Sequence, residues 1–177
     1  MNKFLPLMLC LLLAACSPNY LTPEEMSPAA GIYTQLPENP SLKNAIKLGV
    51  VQVAKKVEEA LNPVNVENYT KTLQNVLSKA GFASPSHEAP RYILNASFLD
   101  LDYGGWFSKD GTSKARYILK RIDTNTVVLD ETLTLFSHVP YSLFVDAAVR
   151  IRLSMALACQ ENMTHLIRLL AATPLPL

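Results

Sequence analysis

Arg91-Tyr92-Ile93-Leu94-Asn95-Ala96-Ser97-Phe98-Leu99-Asp100-Leu101-Asp102 is the stretch on which the fold turns. Successive side chains of a β-strand point to opposite faces, so Tyr92, Leu94, Ala96 and Phe98 share one face, with Asp100 at its end. Ile93, Asn95, Ser97, Leu99 and Leu101 share the other. Two more strands are expected after it, at residues 112–122 and 126–138. Asp123-Thr124-Asn125 leaves room only for a tight hairpin between them, and Gly104-Gly105 with Asp110-Gly111 marks the connection before them. In the last strand Val128, Asp130, Thr132, Thr134 and Phe136 alternate with Val127, Leu129, Glu131, Leu133 and Leu135. The second set carries the apolar load of one face.

Upstream, Ala45, Ile46, Leu48, Val50, Val51 and Val53 predict a first strand over residues 44–53. Residues 55–60 are ambiguous, and Asn62-Pro63 breaks whatever precedes it. A helix is predicted over residues 66–79, with Tyr69, Leu73, Val76 and Leu77 on one side and Lys71, Gln74, Asn75 and Ser78 on the other. Ala80-Gly81 ends it. Downstream, residues 143–171 place Ala148, Ile151, Met155, Ala158, Cys159, Leu166 and Leu170 at intervals of three and four, the stripe of an amphipathic helix. Asp146 and Arg150, like Glu161 and His165, are spaced for contact along it. Asp146, Arg150 and Arg152 would each cost about 2.5–3.5 kcal/mol at a bilayer centre, which excludes a membrane span. The predicted fold class is therefore α+β: a sheet of about four strands with antiparallel hairpins and two helices packed on one face.

The N-terminus reads as an address. Met1-Asn2-Lys3 is a short basic start, residues 4–13 are apolar, and Leu13-Ala14-Ala15-Cys16 closes the run with small residues before a cysteine. The run is too short for a bilayer, which takes roughly 20 apolar residues, and has the layout of a secretory signal. Leu13-Ala14-Ala15-Cys16 resembles the lipobox of bacterial lipoproteins. The resemblance implies that residues 1–15 are a signal peptide removed in maturation and that Cys16 carries a diacylglyceryl group and an acylated amino terminus, palmitate-type chains included. One chain holds a protein only marginally, whereas two or more anchor it at about 0.8 kcal/mol per buried CH₂. Ser17, in place of an Asp there, implies the outer membrane. Pro18, Pro23, Pro28, Pro37 and Pro40 then suggest that residues 16–43 are an acylated N-terminus and tether, able to reach on the order of 75 Å if extended. Residues 44–177 would form a single periplasmic domain.

Composition narrows the function classes. The chain has 177 residues, 49% of them hydrophobic and 18% charged, with a net charge of +1. Lys3 is the sole charge in the first fifteen residues, so the remainder is neutral, with no basic patch suited to nucleic acid. With Cys10 removed and Cys16 acylated, Cys159 stands alone: either a small core residue or a reactive thiol.

His87, His138 and His165 have no second ligand at zinc spacing, and there is no G-x-S-x-G elbow, so neither a metal site nor a cofactor is expected. Asp100 and Asp102, with His138, are the residues an envelope enzyme would use. Gly104-Gly105 is a turn or a ligand rim. The more suggestive group is aromatic: Tyr103, Trp106 and Phe107 in one connection, Tyr141 and Phe144 in the next. Aromatic side chains on loops either cap a core or form a ligand or partner surface.

The order of elements, with residues 145–153 and 159–167 of the last helix, resembles small envelope lipoproteins. Similar arrangements occur in auxiliary lipoproteins of ABC-type lipid transport systems and in the amino-terminal domain of the periplasmic Tol translocation protein. This likeness implies a non-catalytic envelope component, a binding or scaffold module in envelope maintenance or transport, with an envelope protein or a lipid as partner. A lipid carrier with a cleft between helices and sheet is the alternative, and an envelope enzyme a third.

Overall fold

Four strands, β1 (Ile46–Val53), β2 (Tyr92–Asp102), β3 (Asp110–Arg121) and β4 (Val127–His138), lie side by side in chain order in the computed structural model, which describes residues 19–59, 63–86, 88–103, 110–139 and 146–175. β1 runs parallel to β2, which requires a crossover, while β2, β3 and β4 are antiparallel neighbours. α1 (Pro23–Met26) and a 3-10 helix (Ala30–Gln35) precede the sheet. α2 (Lys55–Glu58) and α3 (Val66–Lys79) form the crossover, and α4 (Ala147–Ala172) follows β4. The α+β class and the arrangement expected from sequence are those observed.

Local chemistry sets the boundaries. The Asn65 side chain accepts from the Asn68 amide at 2.7 Å and opens α3, and Gly81 closes it with a φ of 72°, where a Cβ would be strained. Asp146 caps α4 by accepting from the Ala148 amide at 2.8 Å. Asn125, at a φ of 54°, turns the β3–β4 hairpin, with the Arg121 amide donating to the Thr126 carbonyl. In β1, the register slips between Leu48 and Val51, and Asn95 takes up the lost pairing by accepting from the Val50 amide at 2.8 Å. Gly49 sits at that slip because any larger residue would overlap the side chains of Asn95 and Ile93.

One face of the sheet carries the core. Tyr92, Leu94, Ala96 and Phe98 of β2 and Ala115, Tyr117 and Leu119 of β3 are buried against Tyr69, Leu73, Val76 and Leu77 of α3 and Ile151, Met155, Cys159, Leu166 and Leu170 of α4. α3 lies over β1, and α4 over β3 and β4. Each large side chain removed from water this way is worth about 1.5–3 kcal/mol. No helix among the described residues is long and apolar enough to cross a membrane.

The structure departs from the sequence reading in several places. Asp110 and Gly111, expected in the connection, already belong to β3, because they pair with His138 and Ser137 of β4. An irregularity after Phe98 returns Leu101 to the buried face and turns Asp100 and Asp102 away from Phe98, so the expected alternation breaks there. Ala148 is exposed rather than part of the buried stripe, because the first turn of α4 stands at the end of the sheet. The largest departure is the proline-rich segment read as a tether. Within it Leu21, Met26 and Leu42 are 0% exposed, and α1 packs against both α3 and α4. Thr22 and Glu25 form a reciprocal capping box, 3.3 Å and 2.8 Å, that folds α1 onto the helices. Isolated apolar anchors between prolines lack helical or strand periodicity, which is why they read as unpacked.

Candidate functional site

Three features beyond the core have organised chemistry, and the first is where the chain enters the fold. Arg152, in the second turn of α4, donates from Nε and Nη2 to the two carboxylate oxygens of Glu25, each at 2.7 Å. The same guanidinium donates to the carbonyls of Asn19 at 2.9 Å and Tyr20 at 3.1 Å. A forked, charge-assisted contact of this kind fixes direction as well as distance. Gln160 adds a bond to the Glu25 carbonyl, Asn68 of α3 donates to the Leu21 carbonyl, and the Leu21 amide donates to Pro63. Burial pushes the Glu25 carboxyl up, but the hydrogen bonds from Arg152 and Thr22 outweigh it and hold the group below the ordinary carboxylate value. Residues 19–26 are thereby wedged between the two long helices, where Leu21 and Met26 are fully buried.

The second feature is a line of buried polar groups under α4. Ser137 Oγ donates to the Ser154 carbonyl at 2.6 Å and Ser113 Oγ to the Ala158 carbonyl at 2.7 Å. Tyr69 donates to the Tyr117 hydroxyl at 3.0 Å, Tyr117 donates to Asn162 Oδ1 at 2.8 Å, and Asn162 Nδ2 reaches Ser113 Oγ at 3.2 Å. Gly111 permits this close seat, since a Cβ there would overlap the Ser154 carbonyl. Burial pushes the Tyr69 and Tyr117 hydroxyls and the Cys159 thiol well up, so all three stay protonated. A buried protonated thiol is a core residue and not a nucleophile. The network specifies the register of α4 on the sheet. Its signal lay in the small or polar residues at four-residue spacing, Ser154, Ala158 and Asn162, and in Ser113 on the otherwise buried face of β3.

The third is an open groove of about 480 Å³ at the other end of the fold, lined by Tyr33, Leu36, Pro40, Lys43, Gly81 and Phe82 among others. The Tyr33 hydroxyl is buried there with no partner among the described residues. Asn39 beside it ties the end of α4, donating to the carbonyls of Leu170 and Thr173 at 3.0 Å.

The residues singled out from sequence do not converge. Tyr103 is half-buried and packs against the core. Trp106, Phe107, Tyr141 and Phe144 lie outside the described residues, as do Gly104, Gly105, His87 and Cys16. Asp100 pairs with Lys56 at 2.9 Å, and His138 meets Asp110 at 2.8 Å across the β3–β4 pair, both exposed. Glu161 and His165 are exposed on α4. Among the described residues no three His, Cys, Asp or Glu side chains gather in metal-binding reach. The sheet face opposite the helices presents an Arg116–Asp130 fork at 2.6 and 2.7 Å, Thr132, Thr134 and a Phe136 that is 69% exposed.

No protein-family model matches this chain, and no curated protein sequence does. Its fold is similar to that of solved structures. A Xanthomonas campestris protein described under the family model DUF330 superposes over 78% of this chain and 91% of its own at a TM-score of 0.56, with 13% identity. A hypothetical protein from Chlamydia trachomatis covers 75% of this chain and 99% of its own at a TM-score of 0.51, with 10% identity. A minor lipoprotein from Acinetobacter baumannii overlaps more loosely, at a TM-score of 0.43 and 12% identity over 76% of this chain and 95% of its own. At such identities the first two likenesses are of fold alone.

Proposed function

We propose that this chain is a bacterial lipoprotein, acylated on Cys16 and held at the periplasmic face of the outer membrane, that works as a non-catalytic binding or scaffold module in envelope maintenance or transport. The observation that carries this reading is that the chain's own segment, residues 19–26, occupies the seam between the helices, which leaves surfaces to do the work: the uncovered sheet face and the two ends of the fold. The Leu13-Ala14-Ala15-Cys16 sequence supports the anchor. An envelope protein is the partner that an uncovered sheet face suits.

Photocrosslinking in intact cells tests the module. Probes at Thr132 and Thr134 on the open sheet face should capture a discrete envelope protein, and the capture should vanish on Phe136→Asp. Labelling of phospholipid alone from these positions would replace the scaffold with a lipid-binding role. The anchor is tested by mass spectrometry of the mature amino terminus together with Cys16→Ser, which should abolish acylation and partitioning into detergent. An unmodified chain starting elsewhere than Cys16 would overturn it.

A further inference from the structure

The place where the chain joins the fold decides which way the domain faces. Asn19 and Tyr20 are held by Arg152, so the tightly bound part of the chain begins three residues after Cys16. At about 3.3–3.6 Å per extended residue, that leaves a reach on the order of 10 Å. The polar headgroup layer on each side of a bilayer is about 5–8 Å thick, so a domain tied this closely cannot stand clear of it. We infer that the end of the domain bearing Asn19, Tyr20 and the first turns of α3 and α4 rests on the phospholipid headgroups of the membrane that carries the anchor. This inference rests on the acylation of Cys16 proposed above.

The residues at that end fit such a neighbour. Val66 and Val149, each in the first turn of a long helix, are 39% and 46% exposed, and Ala148 beside Val149 is exposed as well. Two valines and an alanine give apolar contact without the depth of an inserted helix. The Arg152–Glu25 fork just behind them pins residues 19–25 to the body of the domain, so the chain does not peel away there and lengthen the reach from Cys16. α4, 26 residues long, then runs away from the membrane for about 39 Å. Its far end, the Tyr33–Phe82 groove and the β3–β4 hairpin all face the periplasm, where a soluble partner reaches them. The proline-rich segment is thus a strap that fixes orientation, and the expected stand-off of the domain from the membrane does not arise.

The experiment uses the full acylated protein in phosphatidylethanolamine–phosphatidylglycerol vesicles containing headgroup-nitroxide lipid. A fluorophore is attached at Val149→Cys or, separately, at Ala172→Cys on the exposed far end of the same helix. The buried Cys159 does not compete for the label. Val149→Cys should lose most of its emission to the nitroxide and Ala172→Cys none. Inserting a long glycine–serine linker between Pro18 and Asn19 should restore the emission at Val149→Cys. Equal quenching at both sites, stronger quenching at Ala172→Cys, or indifference to the linker would overturn the orientation while leaving the anchor intact. Protein that fails to stay with vesicles, with Cys16 unmodified by mass, would instead overturn the anchor, and this inference with it.

Discussion

α4 and the segment 19–43 are both built into the core, but by opposite means. α4 repeats: Ile151, Met155, Ala158, Cys159, Leu166 and Leu170 return at three and four residues, and burial follows the period. The segment 19–43 has no period. It is held at single points, by Leu21, Met26 and Leu42 at 0% exposure, by the capping box at Thr22, and by the Arg152 fork. Periodic burial is visible to anyone who counts residues. Burial by isolated anchors becomes visible only when the cavity that receives them is known, and here that cavity exists only after α3 and α4 have docked.

The strongest way to break this comparison is to remove one side of it. A chain beginning at Asn44 loses three fully buried side chains, together about 5–9 kcal/mol, against the roughly 5–15 kcal/mol that holds a domain of this size. Calorimetry should show the cooperative melt abolished or moved far down. Retention of the full-length melting temperature would restore the tether. Next come single truncations: Met155→Ala in α4 and Met26→Ala in α1 should each cost about 2–5 kcal/mol in urea denaturation. A cost for Met26→Ala below that range would mean the strap is only laid on the surface.

A smaller effect is expected from the buried polar line. Asn162→Ala leaves the Tyr117 hydroxyl and Ser113 without their partner and should cost about 1–3 kcal/mol, with Tyr117→Phe adding less than its own separate cost. Full additivity in that double-mutant cycle would show that the groups do not act as a unit. The smallest effect is electrostatic, because the Glu25–Arg152 pair is partly exposed, at 33% and 22%. The Glu25 carboxyl titrates below the ordinary carboxylate value in the folded chain, so the stability it contributes is fully present above that ordinary value and is lost as pH falls through the lower, folded one. Melting temperatures taken from about pH 7 down to about pH 3 should show that loss in the native chain and not in Glu25→Gln. Parallel curves would show that the fork adds nothing to folding.

Legibility followed local pattern. The helix over 66–79 was readable, because the Tyr69–Leu73–Val76–Leu77 stripe ends at Ala80-Gly81, and the structure adds the Asn65 cap at its start. The hairpin at Asp123-Thr124-Asn125 was readable for the same reason. The slip after Phe98 was not, since Phe98-Leu99-Asp100-Leu101 alternates as a regular strand would and only pairing with β3 exposes the extra residue. Of the candidate site, the acid and histidine positions were legible as residues but not as pairs: Asp100 with Lys56 and Asp110 with His138 meet through strand register and packing. The Arg152 fork joins residues 127 positions apart and left no local trace.

By itself, then, the sequence determined the fold class, the order of the four strands and the two long helices, and that those helices cover the sheet. These follow from periods of two and 3.6 residues and from caps and turns, all of which act within a few positions of one another. Tertiary structure alone decided that the proline-rich segment is a strap wedged between the helices, that α4 is seated through Ser113, Ser137, Asn162 and Tyr117, and that the chain enters at the end where both long helices begin. Those features depend on groups far apart in the chain meeting in space. Their energy appears only once the sheet and its helices have brought them together.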